Sequence, residues 1–181
     1  LIKNDGALRI VGNLPYNIST PLIFHLLSYA GQVQDMHFML QKEVVKRMAA
    51  APGQGAYGRL SIMVQYYCHV EDLFDVPPTS FDPAPKVDSA IVRLVPYQEL
   101  PHVANNVKTL ETLVNIAFQQ RRKTLRNALK QLLSQEQMDS LSVDLSLRPE
   151  EVSLAEYVAM SNMLGDLPKP GAVVEVSGDA E

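Results

Sequence analysis

GNLPYNIST, residues 12–20, is the stretch on which the reading of this 181-residue chain turns. It follows ALRIVG (7–12), an apolar run bounded by Gly6 and Gly12, with the pattern of a fully buried parallel strand. A strand ending on a polar Asn, a proline and an aromatic sets those groups at the carboxyl end of a parallel sheet, where open α/β folds place their ligands. Pro15 biases Leu14 to an extended conformation and so fixes the direction of its carbonyl. Asn13 adds a side-chain amide oxygen as a second acceptor, and Tyr16 adds a flat face. Two acceptors beside an aromatic face match the exocyclic amine of a planar base. Asn and Pro are also common turn residues, and on these four residues alone a plain turn stands level with a base site.

Working outward, Thr20 as N-cap and Pro21 at the first helical position predict a helix over PLIFHLLSY, stopped at Gly31. DMHFMLQ (35–41) reads as a second apolar strand, and KEVVKRMAA (42–50) as a short helix ended by Pro52-Gly53. RLSIMVQYYCHV (59–70) is rich in β-branched and aromatic residues and reads as a long strand. SAIVRLV (89–95) reads as another, after a loop marked by Pro77, Pro78, Pro83 and Pro85. Alternating strands and helices predict an α/β fold with a parallel sheet, and the last strand pair an antiparallel end.

From about residue 107 the pattern becomes helical, with apolar residues at 110, 113, 114, 117, 125, 128, 129 and 132. Arg121 falls where the stripe should continue, which predicts two helices or a break around 119–124. SLAE (153–156) is a capping box ahead of a helix over 153–164. The division falls near PYQELPHVAN (96–105), giving an α/β part over 1–98, a helical part over 99–167 and a disordered tail over 168–181.

Arg121, Arg122, Lys123, Arg126 and Lys130 lie in a stretch without an acidic residue between Glu111 and Glu136. Arg122, Arg126 and Lys130 share one face if the helix continues. Such a stripe suits phosphate contacts; a solvated basic face is common, but without acidic partners at i,i+4 RNA contact is the favoured reading. The chain's net charge is −4, so any nucleic-acid surface must be local. One cysteine, Cys68, excludes an internal disulfide and a Cys-rich zinc site, and four widely spaced histidines show no ligand spacing, so no metal is expected. No apolar run reaches the ~18 residues of a membrane span and no signal-peptide pattern opens the chain; a soluble, intracellular protein is expected, with no membrane partner. NIS (17–19) then has no meaning as a glycosylation site, and GQG (53–55) follows a helix and precedes a strand, the wrong order for a dinucleotide loop.

Five segments, in this order, resemble the ribosomal RNA adenine N6-dimethyltransferases: GNLPYNISTPLIFHLL, MHFMLQKEVVKRM, YGRLSIMVQYY, FDPAPKVDSAIVRLVP and FQQRRKTLRNAL. The likeness covers roughly residues 1–165 and leans to the bacterial branch that dimethylates two adjacent adenosines near the 3′ end of 16S rRNA. It implies the C-terminal half of a Rossmann-like, S-adenosylmethionine-dependent methyltransferase sheet followed by a small all-helical RNA-binding domain. It also implies a cytoplasmic protein acting on the small ribosomal subunit, as a monomer when full-length. Asn13 and the Leu14 carbonyl would hold the N6 amine, and Asn13 would also contact the methyl donor. Tyr16 and Phe81, the latter from F-x-P-x-P-K-V, would stack on the base, each such contact being worth about 1–3 kcal/mol.

In the family a G-x-G loop and two acidic cofactor contacts come before this point. None occurs in the sequence given, which therefore reads as a piece of a longer chain, with ALRIVG exposed as an edge. That piece alone is expected to be inactive, to bind the donor poorly or not at all, and either to self-associate through this edge or to stay sound only with its missing half still bound. Two other enzymes and one non-enzyme share parts of the pattern. DNA adenine methyltransferases usually have Pro-Pro where this chain has Leu14-Pro15. The resistance methyltransferases of large-subunit rRNA share the Asn-Leu-Pro-Tyr motif, and a ribosome-assembly module would bind RNA without chemistry.

Overall fold

A computed structural model describes residues 7–165. The tail expected at 168–181 lies outside the described residues. Four strands, β1 (Leu8–Asn13), β2 (Val33–Gln41), β3 (Cys68–Val76) and β4 (Ser89–Pro96), form one sheet in the order β1-β2-β4-β3. β1 runs parallel to β2, whereas β2–β4 and β4–β3 are antiparallel, the parallel sheet with an antiparallel end that the element pattern predicts.

β2 shows why the sheet has two unlike faces. Met36, Phe38 and Leu40 are buried under α1 (Ser19–Leu27), α2 (Lys42–Ala49) and α3 (Arg59–Tyr67), while His37, Met39 and Gln41 alternate to the other, half-exposed face. Along that second face runs a ladder of charges. Arg9 donates from Nε and Nη2 to the two carboxylate oxygens of Asp35, both at 2.9 Å. Arg93 lies 3.5 Å from Asp35 and 3.2 Å from Glu71. Hydrogen bonding from Arg9 holds the Asp35 carboxyl below the ordinary carboxylate range despite the burial that opposes it.

Three local expectations change. RLSIMVQYYCHV is not one strand: Arg59–Tyr67 is α3, and β3 begins only at Cys68. The segment carries no amphipathic stripe because α3 is covered on both sides. Ile62, Met63 and Tyr66 enter a cluster with the later helices, and Val64 enters the cluster under the sheet. A helix buried all round looks, in sequence, like an apolar strand. α1 starts at Ser19, after a turn closed by Ile18 N–H to the Pro15 carbonyl (3.2 Å), so Thr20 is not the cap and Pro21 lies within the first turn, where no intrahelical N–H is needed. β1 is not fully buried. Among the described residues it is an edge strand, with Val11 80% exposed.

The helical part is α4 (Val107–Gln119), α5 (Leu125–Leu129), α6 (Gln135–Ser140) and α7 (Leu154–Leu164). The predicted break at 119–124 is present, and Ser153 caps α7 in a reciprocal box with Glu156. Tyr57 and Tyr157 reach across this part, donating their hydroxyls to the Val152 and Pro149 carbonyls at 3.0 and 2.9 Å. Gln65 of α3 donates to the Met48 and Ala50 carbonyls, both at 2.8 Å, and so closes the C-terminus of α2.

Cys68 is fully buried where α3 meets β3, and burial pushes its thiol from 9.0 up to about 12. The folded state holds the proton more tightly than the unfolded chain, so stability is intact below pH 9 and falls as pH rises from 9 toward 12. Unfolding midpoints in urea across that window should show the fall, and Cys68→Ser should reduce its pH-dependent part.

Candidate functional site

The carboxyl end of β1 turns sharply into α1. Gly12, the next-to-last residue of β1, lets the Leu14 side chain approach closely: a Cβ there would lie 3.3 Å from Leu14 Cδ2. Leu14 N–H donates to the Met39 carbonyl at 3.2 Å, one step beyond the β1–β2 ladder, and the Leu14 side chain is buried. The following carbonyls are used locally, Pro15 by Ile18 N–H and Tyr16 by the Ser19 hydroxyl at 3.2 Å. The Leu14 carbonyl and the Asn13 side-chain amide accept nothing from the described residues. The turn thus fixes its backbone and leaves two acceptors open.

These acceptors line a cavity of about 250 Å³ with Pro15, Tyr16, Met39, Phe81, Pro83, Pro85 and Ser89. Phe81 arrives from the other side, at the end of a short 3-10 turn (Pro78–Ser80) that leads into the 81–88 loop. The structure therefore brings Asn13, Leu14, Tyr16 and Phe81 together from segments more than sixty positions apart in the chain. Sequence reasoning missed Met39 and Ser89. Met39 pairs with Asn13 in the sheet register, and Ser89 opens β4 immediately after the proline loop. Only strand register, which a single sequence does not display, could have found them.

The basic residues are not one helical stripe. The helix is interrupted over 120–124, so Arg122 lies in a turn before α5, Arg126 within α5 and Lys130 just after it. Nor do they all lack acidic partners. Arg121 donates to the Gly55 carbonyl at 2.9 Å and lies 4.0 Å from Glu150, and Arg126 lies 3.6 Å from Asp139. Arg122, Lys123 and Lys130 are exposed, and no carboxylate among the described residues pairs with them. Arg121 also lines a groove of about 490 Å³ with Lys46, Arg47, Arg59, Tyr57 and Phe118, and with Glu43, which pairs with Arg47, while Lys46 pairs with Asp72 at 2.6 Å. Those three cations come from α2 and the start of α3, too far along the chain from Arg121 for a run-based search to group them. Among the described residues no cluster of His, Cys, Asp or Glu could hold a metal, and no helix is long and apolar enough to cross a membrane.

The sequence profile of the ribosomal RNA adenine dimethylases matches residues 2–166. The chain belongs to that family. Relatives named ribosomal RNA small subunit methyltransferase A include one from Pseudomonas fluorescens, 64% identical over 91% of this chain, and one from Pseudomonas aeruginosa, 62% identical over 93%. The match spans 61% and 63% of their respective lengths, so this chain corresponds to about three fifths of those relatives. Among solved structures, a dimethyladenosine transferase from Plasmodium falciparum superposes with a TM-score of 0.72 at 29% identity, over 88% of this chain and 68% of the other. The 23S rRNA methyltransferase ErmE superposes with a TM-score of 0.64 at 22% identity, over 89% of this chain and 66% of that one, a likeness of fold. The sheet of this chain is accordingly Rossmann-like, of the methyltransferase kind.

Proposed function

We propose that this chain is the base-binding and RNA-contacting part of an S-adenosylmethionine-dependent enzyme that dimethylates N6 of two adjacent adenosines near the 3′ end of 16S rRNA within the small ribosomal subunit. The observation that carries the reading is the convergence of Asn13, Leu14, Tyr16 and Phe81 on one cavity at the carboxyl edge of the sheet. An adenine that leaves its stack needs such a pocket. Tyr16 and Phe81 offer aromatic faces for it. The Asn13 amide oxygen and the Leu14 carbonyl accept the two N–H bonds of the amine.

That arrangement is chemically sufficient for the amine's side of the reaction. Accepting both N–H bonds favours a pyramidal nitrogen, drawing its lone pair out of conjugation with the ring. The protein's work is then positioning and electrostatics, with no strong base required. S-adenosylmethionine, when bound, supplies an electrophilic methyl group. Asn13, exposed at the end of β1, is the residue of this chain assigned to that donor, and the fit is partial, since the cavity has room for a base and little more.

RNA would be held by the exposed cations Arg122, Lys123 and Lys130, and by the groove of Lys46, Arg47, Arg59 and Arg121. Arg121 and Arg126 also serve the fold through Gly55, Glu150 and Asp139. Arg122→Glu with Lys123→Glu should weaken binding to small-subunit particles. It should also reduce the slope of log affinity against log salt by about one for each phosphate no longer neutralised. An unchanged slope would remove these residues from the interface. The function itself is tested by methyl transfer from labelled donor to purified small and large subunits, using the complete protein. Label on two adjacent adenosines of the small subunit is expected; label on the large subunit, or none, would overturn the reading.

A further inference from the structure

Six polar residues are buried among the described residues: Ser19, Asp35, Ser61, Ser89, Thr109 and Ser161. Five have a partner inside the protein. Ser19 donates to Tyr16, Ser61 to Arg47, Thr109 to Gly165 and Ser161 to Val158, each to a backbone carbonyl, and Asp35 accepts from Arg9. Ser89 is the exception. It is 3% exposed, its hydroxyl has no hydrogen-bond partner among the described residues, and it lines the cavity shared by Asn13, Leu14, Tyr16 and Phe81. Its Oγ is not one of the enclosed side-chain atoms left without a partner, which are Gln120 Oε1 and Glu150 Oε2, so the hydroxyl is open to the cavity. A hydroxyl open to a cavity can donate to what the cavity takes in.

The sheet register fixes where this hydroxyl stands. Asn13 pairs with Met39, and Gln41, two residues on, pairs with Ser89. Asn13, Met39 and Ser89 therefore belong to the same face of the sheet at its carboxyl edge. The acceptors of Asn13 and Leu14 account for the exocyclic amine of a bound adenine. They leave the flanking ring nitrogens, N1 and N7, which are acceptors. A serine hydroxyl can donate to an acceptor of this kind and is small enough to sit at the rim of an adenine.

We propose that Ser89 contacts the substrate directly, its hydroxyl donating to the ring nitrogen beside the amine held by Asn13 and Leu14. This rests on the base-site reading above. Ser89 would fix the in-plane rotation of the base, which stacking on Tyr16 and Phe81 leaves free, and so would aim the amine.

The test is a chemical double-mutant cycle on the complete protein. Ser89→Ala should lower kcat/KM on RNA with ordinary adenosine by about five- to tenfold, while the thermal midpoint stays level or rises, because no internal hydrogen bond is removed. RNA carrying 1-deazaadenosine or 7-deazaadenosine at the target lacks one ring nitrogen. On the analogue missing the bonded nitrogen, wild type and Ser89→Ala should be equal. Ser89→Thr, which keeps the hydroxyl, should restore part of the activity on ordinary adenosine. If Ser89→Ala matches wild type on ordinary adenosine, or falls by the same factor on both analogues, the proposed hydrogen bond does not exist and the base site stands without it. A fall in thermal midpoint with kcat/KM unchanged would make Ser89 a fold residue and overturn the proposal. Wild type that methylates no adenosine-containing RNA would overturn the base-site reading itself.

Discussion

Asn13→Ala should lower turnover of the complete enzyme by roughly a hundredfold or more while leaving its affinity for small-subunit particles close to wild type. The size follows from removing one preorganised partner of the reacting group, the kind of deletion that costs on the order of 10²–10³ in rate. The selectivity follows from position. Asn13 lies at the end of β1, and its side chain is exposed and bonds nothing among the described residues, so its removal should not disturb the fold. The cation groups that would hold RNA come from α2, α3 and the 121–130 stretch instead. Single-turnover methylation and equilibrium binding on the same preparations separate the two effects. A variant that methylates at near wild-type rate would remove Asn13 from the chemistry.

Val64→Asp should abolish folding of both halves of the described chain, not of the sheet alone. Val64 is fully buried in the cluster under the sheet, whereas its helix neighbours Ile62 and Met63 are buried in the cluster that α3 shares with the later helices. An unpaired charge in such a site costs several kcal/mol, against a total stability of about 5–15 kcal/mol for a domain of this size. Because one helix belongs to both clusters, disruption of either interface removes support from the other. Ile62→Ala gives the graded form of the same test, with an expected cost of about 2–5 kcal/mol. In urea, labelling of Cys68 reports the sheet cluster and the near-ultraviolet signal of the buried tyrosines reports chiefly the helical one. For wild type and Ile62→Ala alike the two midpoints should coincide. Separate midpoints would show that α3 does not couple the halves.

How far the sequence could be read depended on whether the deciding contacts were local. β2 and β4 were legible because their apolar runs are bounded by turn residues, and α7 because its cap is written in four consecutive letters. The strand reading of 59–67 failed because β-branched and aromatic residues that suit a sheet also suit a helix enclosed on every side. Nothing in the local pattern shows that Ile62 and Val64 face different clusters. α6 went unread although Ser134 and Gln137 form its capping box, being too short to carry an apolar period. At the site, Asn13, Leu14 and Tyr16 are neighbours in sequence and were found together, and Phe81 entered by resemblance. Met39 and Ser89 depend on strand register, and the partners of Arg121 and Arg126 are carboxylates brought near by tertiary folding.

The two edges of the described sheet differ in what they offer a further strand. β3 carries Glu71, Asp72 and Asp75, engaged by Arg93, Lys46 and Lys42, and a bulge breaks its register between Asp72 and Phe74. Such an edge refuses a further strand. β1 offers Leu8 and Val11 and an unbroken run of backbone groups from Arg9 onward. In the language of polymerisation the described sheet has a valence of one. A further strand of whatever origin, from elsewhere in the complete protein or from another copy, is expected to add at β1 and not at β3.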